Sequence, residues 1–293
     1  AGSQPEQRHV KDQYDENSYF TPQHFDEPPT EDNLLQNTLW PETMKLYGHG
    51  YEIFSLATTT DGKLLASGCK ATKEEHATIL LWNTTSWQKV GRLVSHQLTV
   101  TQLQFSPDDQ FLLSVSRDRC WSIFQRSQTE AGEYSLAARS NKTTGIHTRI
   151  IWCCAWSHDS AQFATGSRDG KVVVWGKTGD SHPSLGQFGA NSEFLDLPKE
   201  SITSVAFGPD FVLSADEYMM AVGSEAGDIR LYGWRNVQSP WRFLFQLSGN
   251  SAHHLAVKKL AFRPVRGVAG QVDTSTSVLQ LASCGLDHIV NVW

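Results

Sequence analysis

The chain has 293 residues, 39% of them apolar, and 25 basic against 31 acidic side chains give a formal charge of −6. That composition excludes collagen-like, fibrous and wholly disordered classes. No apolar run approaches the roughly 18 residues that span a bilayer, and the opening AGSQPEQRHVKDQYDENSYF has neither the apolar stretch nor the basic flank of a signal peptide, so neither a membrane anchor nor a secretory route is expected.

In chain order, residues 1–38 come first, with eight acidic and two basic side chains; they account for the whole net charge, because acids and bases balance at 23 each from Leu39 onward. This arm is poor in aliphatics and rich in Gln, Asp, Glu and Pro, so it buries too little to offset its ordering entropy. It is expected to be a flexible arm or loop. Its aromatics, Tyr14, Tyr19, Phe20 and Phe25, could dock on the domain or on a partner. Residues 39–47, LWPETMKLY, read as a strand.

From there a repeat takes over, and a period of this length sets the reading of the whole chain. HQLTVTQLQFSPDDQFLLSVSRDRCWSIF (96–124) and HTRIIWCCAWSHDSAQFATGSRDGKVVVW (147–175) align without a gap. Each has a His, an aromatic nine residues on (Phe105, Trp156), a turn (SPDD, SHDS), a β-rich run, an Arg-Asp pair and a closing aromatic. Weaker copies run from Gly48-His49 to Trp82, from SITSVAFGPD to Tyr232, and from HHLAVKKLAFRP to Trp293. The closing aromatics lie 42, 51, 57 and 61 residues apart, so the loops vary while the unit does not.

This pattern resembles the WD-repeat family over roughly 250 residues. The resemblance implies an all-β propeller of four-stranded blades, each tied by a His, a Ser or Thr, an Asp and a Trp. The third unit supplies His147, Thr165, Asp169 and Trp175, and the fifth supplies His253, Ser283, Asp287 and Trp293. The second has His96, Ser114 and Asp118 but Phe124, which cannot donate. The first has His49 and Trp82 with His76 in place of the Asp; the fourth has Pro198 and Ala226 at the His and Asp positions. Blades one and four are therefore expected to be less rigidly tied. The units divide as 48–95, 96–146, 147–197, 198–252 and 253–293 within a propeller region of 39–293, with 39–47 as the outer strand of a preceding blade. Either that strand closes a five-bladed ring, or the ring is an open part of a seven-bladed one. The second is expected, since the first-residue Ala and the end at Trp293 have the look of fragment edges.

A His and an Asp recurring at fixed offsets read as structure rather than as a catalytic pair. No phosphate loop, GxGxxG, HExxH or GxSxG motif is present, so no enzyme is expected. Cys69, Cys120, Cys153, Cys154 and Cys284 are odd in number and lack CxxC spacing, which reads as buried, reduced thiols of an intracellular protein with no metal site. Cys153 and Cys154 should point to opposite faces of one strand.

The Asp turn and the His loop of a propeller blade open on one rim, which gathers Arg117, Arg119, Arg149 and Arg168, with Lys70 and Lys73 beside them. Blades four and five carry Glu225 and Asp287 instead. Arginine forks suit carboxylates and phosphates, so this face is a candidate for binding an acidic partner segment or RNA. The alternative is that these arginines pair with Asp118 and Asp169 and only brace the turns. Trp87, Trp121, Trp152, Trp234 and Trp241 lie outside the relay positions. Trp234 and Trp241, in GWRNVQSPW, read as a contact loop beyond the fourth blade.

More specific strings, among them LLQNTLWPETMKLYGHGYEIFSLATT, HTRIIWCCAWS and GSRDGKVVVWG, resemble the C-terminal half of the Elongator complex subunit-two family. That resemblance implies a non-catalytic scaffold, cytoplasmic and also nuclear. It would join the largest scaffold subunit to the catalytic radical-SAM and acetyltransferase subunit, close to tRNA, in wobble-uridine modification, with a link to transcription elongation. It implies no cofactor, metal or acetyl-CoA site on this chain.

Overall fold

The computed structural model describes residues 44–128, 133–191, 193–210, 213, 216–235, 238, 240–268 and 278–293. The chain divides into two units, Ala1–Tyr47 and Gly48–Trp293. The acidic arm and most of the expected strand at 39–47 lie outside the described residues; the remainder of that segment, 44–47, carries no strand.

In the second unit every repeat becomes an antiparallel sheet. Blade one holds β1 (Ile53–Thr58), β2 (Leu64–Cys69), β3 (Ile79–Asn83) and β4 (Lys89–Leu93). Blade two holds β5 (Val100–Phe105), β6 (Phe111–Ser116), β7 (Trp121–Arg126) and β8 (Tyr134–Arg139). Blade three holds β9 (Ile151–Trp156), β10 (Gln162–Ser167), β11 (Lys171–His182) and β12 (Gly186–Ala190), with the short β13 (Leu195–Asp196) pairing β11. Blade four holds β14 (Ile202–Phe207), β15 (Tyr218–Ser224), β16 (Ile229–Trp234) and β17 (Arg242–Leu247). Among the described residues blade five has β18 (Val257–Phe262), β19 (Leu281–Gly285) and β20 (Val290–Val292). Strand order follows chain order within each blade. Among the described residues no helix is long and apolar enough to cross a membrane.

Serine closes the turn from the first strand to the second. The amides of Phe111 and Gln162 donate to Ser106 Oγ and Ser157 Oγ at 3.0 and 2.9 Å, a local side-chain bond that ends one strand and starts the next. The second strand of each blade is sandwiched between neighbours, as in β6, where all six residues are buried. Alternation along a strand then feeds two cores. Cys153 packs with Val172, Ile202 and Met220 between blades three and four, whereas Cys154 packs with Leu113, Ile123 and Trp175 between blades two and three. Burial raises both thiols, Cys154 to about 12, so they stay protonated and inert. All five cysteines are free, with Cys284 half-buried and the other four buried.

Five blades share four inter-blade cores. The innermost strands pack in the series β1, β5, β9, β14, β18, and no comparable packing of β18 on β1 occurs among the described residues. Exposure shows the same break. Val100, Ile151, Ile202 and Val257 are at most 1% exposed, while Ile53 at the matching place in β1 is 48% exposed. At the other end Val290 and Val292 are exposed on β20. Among the described residues the unit is an open arc of blades.

Each innermost strand also carries a bulge at one place, which skips Phe54, Thr101, Trp152, Thr203 or Lys258 in the pairing. A bulge breaks the two-residue alternation and re-aims a side chain. All five bulge residues line one central cavity of about 560 Å³.

Candidate functional site

The turn from second to third strand folds back on the loop before the first. In every blade one amide of that turn donates to a carbonyl of the loop: Lys70 to Glu52, Arg117 to Thr99, Arg168 to Ile150, Glu225 to Ser201 and Leu286 to Ala256, at 2.9–3.0 Å. These five residues are therefore equivalent positions around one rim. The rim reads Lys, Arg, Arg, Glu, Leu from blade one to blade five.

Under the rim lie the relays. In blade three His147 Nδ1 donates to Asp169 Oδ1 at 3.4 Å, Thr165 Oγ1 donates to His147 Nε2 at 2.7 Å, and the Trp175 indole donates to Thr165 Oγ1 at 2.8 Å. Blade five repeats this with His253, Asp287, Ser283 and Trp293 at 3.0, 2.8 and 3.0 Å. Blade two has His96 with Asp118 at 3.0 Å and with Ser114 at 2.8 Å, and Phe124 ends it. The carboxylate takes a further backbone bond each time, from the amides of Gln97, Thr148 and His254 at 2.8–3.0 Å. Burial alone would raise the Asp169 carboxyl; the His147 bond and charge, with the amides of Thr148 and Lys171, outweigh it and hold the group at about 2. Asp118 is lowered in the same way, by His96 against its burial.

Ser, His and Asp also make nucleophilic triads, but here the hydroxyls of Ser114 and Thr165 belong to residues with no exposed surface. In blades three and five the hydroxyl oxygen is occupied by an indole N–H. No substrate reaches such an oxygen.

Blade one completes part of the relay through a residue that the sequence reading did not single out. Ser67 lies 2.7 Å from His49 Nε2 and accepts the Trp82 indole at 2.8 Å. Blade four has Val222 at the hydroxyl place and no relay at all. A different device ties it: Arg230 on β16 holds Glu200, just before β14, through two bonds of 2.5 and 2.8 Å, with Asp228 at 3.5 Å. As expected from Pro198 and Ala226, the relay itself is absent from blade four among the described residues, and this ion pair stands in its place. The pair was not legible because neither residue sits at a repeated offset.

The arginines of the candidate face are all exposed. Asp118 and Asp169 turn inward to His96 and His147, and among the described residues Arg117, Arg119, Arg149 and Arg168 carry no ion pair. Lys73 is exposed on the β2–β3 turn, where Lys70 pairs with Glu52 at 3.4 Å. Asp287 is committed to His253 rather than displayed on the rim, which leaves Glu225 and Leu286 at the cavity mouth of blades four and five. Arg119 has φ 72°, a left-handed position filled by Gly170 in blade three and Gly227 in blade four.

The reading of Trp234 and Trp241 as a contact loop is corrected for Trp234 alone; Trp241 stays in the loop before β17, half-buried. Trp234 ends β16, is 2% exposed and belongs to the core between blades three and four; Trp241 packs against that core and donates to the Glu193 carbonyl at 2.8 Å. The extra β-strand residue was hidden by the polar run that follows it. Trp121 is fully buried, and Trp152 lines the central cavity. No group of three or more His, Cys, Asp or Glu able to hold a metal occurs among the described residues.

The model of the WD domain, G-beta repeat family matches residues 40–83, 87–125 and 139–176. The chain is a WD-repeat β-propeller array. It is 51% identical over 97% of its length to Elongator complex protein 2 of Drosophila melanogaster, and covers 34% of that protein. It is 46% identical over 93% of its length to the protein of that name from Homo sapiens and 40% identical over 93% to that from Arabidopsis thaliana, covering 34% and 32% of them. The chain thus spans about a third of the length of the curated relatives it matches. The WD-repeat matches fall on blades one to three, where the rim carries Lys70, Arg117 and Arg168.

Proposed function

We propose that this WD-repeat array is a non-catalytic scaffold of the Elongator complex. Its cationic rim, Arg117, Arg119, Arg149 and Arg168 with Lys70 and Lys73, meets an acidic surface of another subunit or the tRNA backbone. The partners are the largest scaffold subunit and the catalytic radical-SAM and acetyltransferase subunit, and the role served is wobble-uridine modification. The observation that carries this is the state of the arginines: four guanidinium groups on adjacent blades are exposed and without ion pairs among the described residues. Such groups are strong bidentate donors with their donors unspent. The chain acts in the cytoplasm and also the nucleus, as the family resemblance implies; imaging of a tagged full-length protein tests this.

The test of the rim is a full-length protein with all four arginines changed to alanine, expressed with the other subunits. Loss of co-purification supports a protein contact. Retained assembly with weaker, less salt-dependent tRNA binding supports the nucleic-acid contact. If assembly and tRNA affinity at low salt both stay unchanged, the rim has no binding role.

A further inference from the structure

Three relays show what this fold places beside the His loop. Asp118, Asp169 and Asp287 each set a carboxylate on a histidine Nδ1 and on the amide of the residue after it. Blade one has the histidine and the amide, His49 and Gly50, without the carboxylate. Counted back from β3, the Asp position is His76, whose ring lies over Gly50. Among the described residues neither His49 Nδ1 nor the Gly50 amide has a hydrogen-bond partner.

We propose that His49 Nδ1 and the Gly50 amide form a seat for a carboxylate supplied by another molecule, an Asp or Glu side chain of an acidic partner segment. Trp82 donates to Ser67 Oγ, which lies 2.7 Å from His49 Nε2; in the tautomer that matches blades three and five the Ser67 hydroxyl donates to Nε2 and the ring proton is on Nδ1, the form that a bound carboxylate selects. Burial holds His49 below its usual range, so it offers a neutral N–H at neutral pH. Both groups line a cavity of about 200 Å³ together with Lys89 and Arg92, which favour an anion. Glu75 lies on the same wall, but its carboxylate pairs with His76 Nε2 at 3.2 Å. The seat goes beyond the rim proposal, since neither His49 nor Gly50 belongs to that cluster.

The experiment uses full-length protein with [13Cε1]histidine, titrated with N-acetyl-aspartate amide and, separately, with N-acetyl-asparagine amide at fixed ionic strength. His49→Gln identifies the resonance. The expected result is a saturable His49 shift with the aspartate compound alone. His76→Asp restores the carboxylate within the chain, so it should abolish that shift and slow exchange of the Gly50 amide about tenfold or more, as a new hydrogen bond does. A His49 resonance that ignores the aspartate compound, or that answers both compounds alike, overturns the proposal whether or not His76→Asp folds. A shift that persists in folded His76→Asp protein overturns it too.

Discussion

Ile202 lies so close to Gly166 that a β-carbon on the glycine would fall 2.7 Å from its Cγ2. Gly223 stands in the same relation to Val257, at 2.8 Å from Cβ. Each glycine is on the second strand of one blade, and each aliphatic opens the first strand of the next. The inter-blade spacing is therefore set by the absence of a side chain. Gly223→Ala should destabilise by about 1–3 kcal/mol through overpacking and speed amide exchange in β14 to β19. Gly179→Ala, where nothing lies within 4 Å, is the control and should stay near wild type.

Thr165→Val removes the hydroxyl that joins His147 to Trp175 and keeps the shape. Two buried ring nitrogens lose their partner, each worth about 1–3 kcal/mol. Ser114→Ala in blade two strands only His96, because Phe124 has no N–H. Urea unfolding of both variants should give the larger loss for Thr165→Val. Equal losses would mean that the indole bond adds nothing.

The Asp169 carboxyl is depressed in the folded chain to about 2. A depressed carboxyl stabilises above its unfolded value near 4, and that contribution disappears as pH falls through 2. Wild type should therefore lose about 1–2 kcal/mol from this group between pH 4 and 2, after allowance for solvent screening. Asp169→Asn should be less stable at neutral pH and show a flatter acid limb in melting curves.

Glu200→Ala leaves Arg230, a side chain only 14% exposed, with Asp228 as its one remaining acid at 3.5 Å. Loss of one partner of a mostly covered pair should cost about 2–3 kcal/mol. A double-mutant cycle with Arg230→Met should return part of that cost. Additive single losses would show that the pair does not tie the blade.

Arg119 separates stability from binding. Its left-handed φ is a place where a residue with a β-carbon is strained by about 1–2 kcal/mol and glycine is not. Arg119→Gly should raise the melting temperature and weaken partner or tRNA binding together. A rise in stability with undiminished binding would remove Arg119 from the face.

The fold was legible where one residue type recurs at one offset. His147, Thr165, Asp169 and Trp175 could be found by comparing the chain with itself, because each hydrogen bond needs its partner and most copies keep most of the set. Ser67 was legible too, since it follows His49 by the same 18 residues that separate Ser114 from His96 and Thr165 from His147; only the long turn between it and Trp82 departs from the pattern. Glu200 and Arg230 lack that property, because they replace the relay with chemistry used once. Trp152 and Lys258 reach the cavity through bulges, which break the alternation that strand reading depends on. The arginine rim was visible as composition, but whether those arginines were paired depended on where Asp118 and Asp169 point, and that is geometry alone.

Among the described residues the five blades are joined at four places and not at a fifth. A closed ring fixes its own diameter, because the angles between neighbours must sum to a full turn. An arc fixes only the angle at each joint, and small changes at successive joints add up along it. The width of the bore ringed by Phe54, Thr101, Trp152, Thr203 and Lys258 is then the sum of those joint angles, and any contact that bridged β20 and β1 would set the aperture and, through it, the spacing of the charged rim above.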